Sequence, residues 1–141
     1  METNSLDKII NTKIEKLTIL KNKYKIAELN HKIDKFNNYF DFKENIYSNF
    51  TKGKFSLIAE IKKASPSAGI IFEDYKPVEI ASIYEKKNAT CLSILTEEDF
   101  FKGNLSHISE VKEKINLPVL CKDFFIDKFQ IPLARSYGAD A

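Results

Sequence analysis

Three charged residues stand where apolar runs stop. Glu60 and Lys62 lie early in the stretch IAEIKKASPSAG at residues 58–69, and Lys122 sits at the end of the run in PVLCKDFF at residues 118–125. Side chains alternate faces along a strand, so Glu60 and Lys62, two apart, project to one side. A carboxylate and an ammonium on an apolar strand are expensive to bury unless they are paired or used. The chemistry open to them is proton transfer and the holding of an anion. A lysine with its ordinary pKa of about 10.4 gives up a proton reluctantly at neutral pH. A second cation nearby and partial burial both make it a better general acid. The plainer reading of Glu60 and Lys62 is a structural ion pair, and the residues alone weigh the two evenly. Phe100, Phe101, Phe124 and Phe125 follow the second and third apolar runs, where core packing is the commoner role for aromatics. His31 and His107 lie among polar residues on helical stretches and read as solvated surface.

The elements that would position these groups follow from periodicity. Leu6, Ile10, Ile14, Leu17, Leu20 and Tyr24 recur at helical steps after a cap at Ser5, and Ile26, Leu29, Ile33, Phe36 and Phe40 continue the spacing. Asp41 with Glu44 has the form of a capping box for a short third helix, its buried face Phe42, Ile46 and Phe50. From Thr51 the period changes. Phe55 to Ile61 is nearly continuous apolar sequence, which predicts a strand buried on both faces. Pro77 opens a helix with Ile80, Ile83 and Tyr84 as its stripe, and Asn88 closes it in a left-handed conformation. Ala89 to Thr96 is a second strand. Asn104 caps a helix bearing Leu105, Ile108, Val111 and Ile115, Pro118 to Lys122 is a third strand, and Asp127 caps a last helix ending at Gly138.

Strand and helix thus alternate three times, which argues a parallel sheet with helices packed outside it. No GxGxxG follows the first strand, so a dinucleotide-binding fold is disfavoured and an α/β barrel is the better choice. The domain expectation is a helical extension over residues 1–50 and the first part of a (βα)8 TIM barrel over residues 51–141. Only the first three βα units would be present, since a full barrel takes roughly 200 to 250 residues. Composition narrows the function classes. The net charge of +2, from 22 basic and 20 acidic residues, gives no footprint for nucleic acid. No apolar run approaches the roughly 20 residues that span a bilayer, and no secretory leader is visible. Cys91 and Cys121 have no CxxC spacing and are expected as free thiols of a cytoplasmic protein.

Five blocks in one order, IAEIKKASPS at residues 58–67, SILT at 93–96, FFKG at 100–103, PVLCKDF at 118–124 and GAD at 138–140, resemble indole-3-glycerol phosphate synthase. The resemblance implies a carbon–carbon lyase of tryptophan biosynthesis that works without metal or organic cofactor. Its phosphorylated substrate is 1-(2-carboxyphenylamino)-1-deoxyribulose 5-phosphate, closed to indole-3-glycerol phosphate with loss of carbon dioxide and water. By that resemblance Lys122 is the general acid, Lys62 holds the anionic substrate, and Glu60 is the catalytic carboxylate of the first strand. Ser65 and Pro66 belong to the substrate-binding loop behind that strand, and Phe101 and Phe124 line the pocket for the aromatic ring. The family's further catalytic glutamate, its asparagine and its phosphate grip come from later strands, so the 141 residues alone are expected to be inactive.

Departures from the family pattern are mild. Ala68 stands where many relatives carry lysine, Asn88 replaces a common glycine, and Cys121 replaces a frequent arginine at a position of parity opposite to Lys122. The main alternative is a non-catalytic half-barrel that pairs with another chain. Association with the rest of the barrel, or with another tryptophan-pathway domain, is the expected partnership. A phosphoribosylanthranilate isomerase shares the fold but not this set of lysine-bearing strands, and a nucleic-acid-binding helical module conflicts with the balanced charge.

Overall fold

The computed structural model describes residues 5–141. Three helices come first: α1 (Ser5–Lys23), α2 (Ile26–Lys35) and α3 (Phe42–Thr51). Then follow β1 (Ile58–Ile61), a small hairpin of β2 (Ala64–Ser65) and β3 (Gly69–Ile70), α4 (Pro77–Lys86), β4 (Cys91–Leu95), α5 (Ser106–Lys112), β5 (Val119–Lys122) and α6 (Gln130–Ser136). β1, β4 and β5 form a parallel sheet in that order, while β2 and β3 pair antiparallel. The architecture is α/β with a parallel sheet, as the alternation of periods predicts.

One face of the sheet makes the core. Ala59 and Ile61 of β1, Leu92 and Ile94 of β4, and Val119 and Cys121 of β5 pack against Ala81, Ile108, Val111, Ile115 and Ala134 from the helices. Each large aliphatic side chain fully buried there contributes about 1.5–3 kcal/mol. The stripe expected on α5 is the buried one. Local signals hold as well. Pro77 begins α4, Asn88 takes the left-handed conformation at φ 62°, and the Asp41 carboxylate accepts the Glu44 N–H at 2.8 Å.

Several expectations need correction. β1 is shorter than the apolar run and is not covered on both faces. Phe55, Leu57 and Ile58 are exposed while Ala59 and Ile61 are buried. The reason is position: β1 is a sheet edge, and among the described residues only its helix-facing side is packed. β5 starts one residue later than expected, at Val119. On α1 the buried residues are Ile9, Lys13 and Leu17, whereas Leu6 and Ile14 face outward. Ile26, Phe50 and Ile83 are likewise exposed rather than packed. The loop holding Ser65 and Pro66 is itself structured as the β2–β3 hairpin, with Gly69 at φ 65° where β3 begins. Ser65 and Pro66 sit at that turn, and the Ser65 hydroxyl accepts the Ala68 N–H at 3.2 Å.

A buried carboxylate joins the helical segment to the sheet. Asp140 Oδ1 accepts the Phe40 N–H at 2.7 Å, while Oδ2 accepts from Lys112 Nζ at 2.7 Å and from the Val119 N–H at 2.8 Å. The side chains of Lys112 and Asp140 are both 0% exposed. Burial pulls the Lys112 ammonium below its ordinary range, against the opposite pull of Asp140. Lys112 also lies over the Phe40 ring.

Candidate active site

The face of the sheet turned away from the core carries the charged residues. Register places Glu60 beside Ser93, and Ser93 beside Leu120. One step onward Leu95 is the partner of Lys122. Lys62 immediately follows the Ile61–Ile94 pair, so the register continued one residue past β1 sets it level with Leu95, on the side away from Lys122. Partnered residues of parallel strands point to one face, so Lys62 and Lys122 flank Leu95 at the carboxyl ends of β1 and β5. Two interstrand steps separate them by about 10 Å.

Glu60 and Lys62 form an ion pair at 2.8 Å, with side chains 39% and 31% exposed. Lys122 is exposed and has no ion pair among the described residues. Glu60 therefore holds Lys62 and not Lys122. The neighbouring Asp123 does not pair with Lys122 either, because it faces the helix side, where Lys13 of α1 reaches it at 2.7 Å. Cys121 has the same parity as Asp123 and lies in the core, its thiol pushed up to about 11 chiefly by burial. Cys91 is also free and buried, raised to about 11 for the same reason.

The structure brings Phe101 and Phe124 together, with ring centroids 6.1 Å apart in a tilted arrangement. Reading by residue type missed what holds Phe101. Glu97, at 2% exposure, lies two residues past the end of β4. Its carboxylate accepts the backbone N–H groups of Asp99 at 3.1 Å, Phe100 at 2.7 Å and Phe101 at 3.0 Å, and its carbonyl accepts that of Gly103 at 2.7 Å. The loop closes so tightly that a Cβ on Gly103 would stand 2.3 Å from the Leu95 carbonyl oxygen. The available signal was an acid two residues behind a mostly apolar strand, ahead of two phenylalanines and a glycine.

His107 also departs from expectation. It is half-buried, its ring 5.5 Å from that of Tyr75, and its Nδ1 and the Tyr75 hydroxyl are buried with no hydrogen-bond partner among the described residues. Desolvation lowers the His107 pKa and raises that of Tyr75 to about 12. A cavity of about 420 Å³ lies on the helix side of the sheet, lined in part by α1, Cys121, Asp123 and Tyr137. Glu60, Lys62 and Lys122 are not in its wall, so the candidate site is the open face and not this cavity. Among the described residues no group of three His, Cys, Asp or Glu side chains is placed to hold a metal ion, and no helix is long and apolar enough to cross a membrane.

Comparison with known proteins points to one family. The family model for indole-3-glycerol phosphate synthase matches residues 6–141. An indole-3-glycerol phosphate synthase of Trichodesmium erythraeum (strain IMS101) is 41% identical over 138 residues, covering 98% of this chain and 46% of the relative. One from Prochlorococcus marinus subsp. pastoris is 46% identical over 138 residues, with the same coverage of 98% and 46%. A protein named tryptophan biosynthesis protein TrpCF from Buchnera aphidicola is 42% identical over 141 residues, all of this chain and 30% of that one. The chain thus spans about half the length, or less, of these curated relatives. Since one family model takes in nearly every residue, helical segment and sheet alike, the chain belongs to the indole-3-glycerol phosphate synthase family.

Proposed function

We propose that this chain supplies the first three βα units of a (βα)8 barrel and part of the active site of an indole-3-glycerol phosphate synthase. The observation that supports the reading is the register that puts Glu60 and Lys122 on one sheet face, with Lys62 one residue past β1 and paired to Glu60. Ligands of parallel α/β barrels bind at that end. The substrate is 1-(2-carboxyphenylamino)-1-deoxyribulose 5-phosphate, and the organisation is a helical extension over residues 1–50 leading into the barrel.

In the proposed reaction the ring carbon bearing the carboxylate attacks the ketone carbon of the sugar chain. Lys122 donates a proton to the carbonyl oxygen, which becomes a hydroxyl. The bond to the carboxylate then breaks, carbon dioxide leaves, and the electron pair restores the aromatic ring. Loss of that hydroxyl with a proton from the adjacent methylene forms water and the indole double bond. Lys62, steered by Glu60, holds the anionic substrate through these charge changes. Phe101 and Phe124 contact its ring, and Ser65 and Pro66 border the entrance. By the family resemblance the remaining catalytic groups and the phosphate grip come from later strands, so the 141 residues alone should have no useful rate.

The test measures indole-3-glycerol phosphate by its fluorescence, using the chain alone and the chain fused to the remaining half of a full-length relative. The chain alone is expected to be silent and the fusion active. Lys122→Met in the fusion should lower kcat by about 100-fold or more, the usual range for losing a general acid. An active fusion indifferent to Lys122→Met would refute the assignment, and so would near-full activity from the chain alone.

A further inference from the structure

Helix α1 carries lysines whose partners all lie in the loops at the carboxyl ends of β4 and β5. Lys13 meets Asp123 Oδ1 at 2.7 Å, with both side chains 10% exposed. Lys16 reaches Glu98 and Asp99, each at 2.7 Å, in the loop that Glu97 organises. Lys21 pairs with Asp127 beyond Phe124. One helix therefore grips the segment carrying Phe101 and the segment carrying Lys122 and Phe124. The Lys13 contact is the buried one, and it is embedded in further bonds. Thr96 Oγ1 donates to Asp123 Oδ2 at 3.0 Å, and the Phe124 N–H donates to Asp123 Oδ1 at 2.7 Å.

Asp123 and Lys122 are chain neighbours at the end of one strand and point to opposite sides. Anchoring Asp123 on the helix side fixes the rotation of the strand end, and with it the direction in which the Lys122 stem leaves the other side. Burying Lys13 and Asp123 is favourable only while both charges stay together, so the anchor is a short and specific one. We propose that Lys13 is a positioning residue for the lyase reaction, acting through Asp123 to aim Lys122, with Lys16 steadying the adjoining Phe101 loop. This inference rests on the role proposed above for Lys122. A misplacement of about 1 Å at a reacting group can cost about 100-fold in rate, which sets the size of effect such an anchor can have.

The experiment compares the unaltered chain with Lys13→Met, Lys13→Arg and, as a control on the exposed side of the same helix, Lys8→Met. Lys13→Gln replaces Lys13→Met should the latter fail to fold. The first readout needs no turnover: pulse acetylation with acetic anhydride, followed by peptide mass spectrometry of Lys122. Without the Lys13 anchor the end of β5 is free to turn and Lys122 presents its amine differently, so labelling of Lys122 should change by about threefold or more. Lys13→Arg should restore the rate and Lys8→Met leave it alone. The second readout is steady-state kinetics of the fused, full-length enzyme, where Lys13→Met should lower kcat by about tenfold or more with little change in KM. Unaltered Lys122 labelling in a folded Lys13 variant overturns the proposal, as does a loss confined to KM. If no fused protein turns over substrate at all, the functional reading fails, while the labelling result still decides whether Lys13 aims Lys122.

Discussion

At the scale of single residues, the group that holds the site loop together is Glu97, which no expected reaction step uses. Its buried carboxylate satisfies three consecutive-loop N–H groups. Glu97→Ala strips those donors of their acceptor and should destabilise the chain by about 1–3 kcal/mol, read from urea unfolding. Gly103→Ala meets backbone rather than a movable side chain. It should cost about 3 kcal/mol, at the upper end for overpacking. Equal, near-zero effects of both changes would contradict the tight loop described here. The strand-end residues Glu60, Lys62 and Lys122 were legible from type and parity because strand geometry has a fixed period. Glu97 was not, because a glutamate in a loop is usually solvated and only the closed backbone reveals its three donors.

At the scale of elements, α5 packs as its pattern predicts, and the exception on it is His107. Its ring is turned to Tyr75, with Glu110 and Lys63 as the charged groups acting on it. Desolvation, the largest cause, depresses its pKa below the usual 6.5. The unfolded chain therefore takes up this proton first. The stability due to a neutral His107 is complete above the unfolded value and is lost as pH falls through and below it. Between pH 7 and 5 the urea midpoint of the parent should drop, and His107→Phe should flatten that drop; an identical slope in the variant would remove His107 as the cause. Elements with a clean apolar period, such as α5, were readable in advance. α1 was misread by one step because Lys13 lies on the buried face: its apolar stem packs while its ammonium finds Asp123. β1 was misread for a different reason. Apolar composition records what a strand is suited to contact, whereas exposure of Phe55, Leu57 and Ile58 depends on which neighbours lie beside the edge.

At the scale of the whole molecule, the order of helices and parallel strands followed from alternating periods, but the link between them did not. That link is Asp140, which receives N–H groups from Phe40 and Val119 as well as the Lys112 ammonium. GAD at 138–140 was visible as a motif; its partners, 21 to 100 positions away, were not. Removing Lys112 leaves the buried Asp140 carboxylate with the more distant Arg135 guanidinium, at 3.7 Å, as its one remaining cation among the described residues, so Lys112→Met should destabilise by about 3 kcal/mol, and the double change Lys112→Met with Asp140→Leu should recover part of that loss. Thermal denaturation of the single and double variants decides it, a double variant no better than the single being the adverse result. A further consequence concerns cooperativity. Because one carboxylate is shared by the linker before α3, by α5 and by β5, neither the leading helices nor the sheet can come apart without stranding the same charge. Heating should therefore melt them in a single transition, with helix ellipticity and tyrosine absorbance changing at one temperature, and a protease should find no stable core to leave behind.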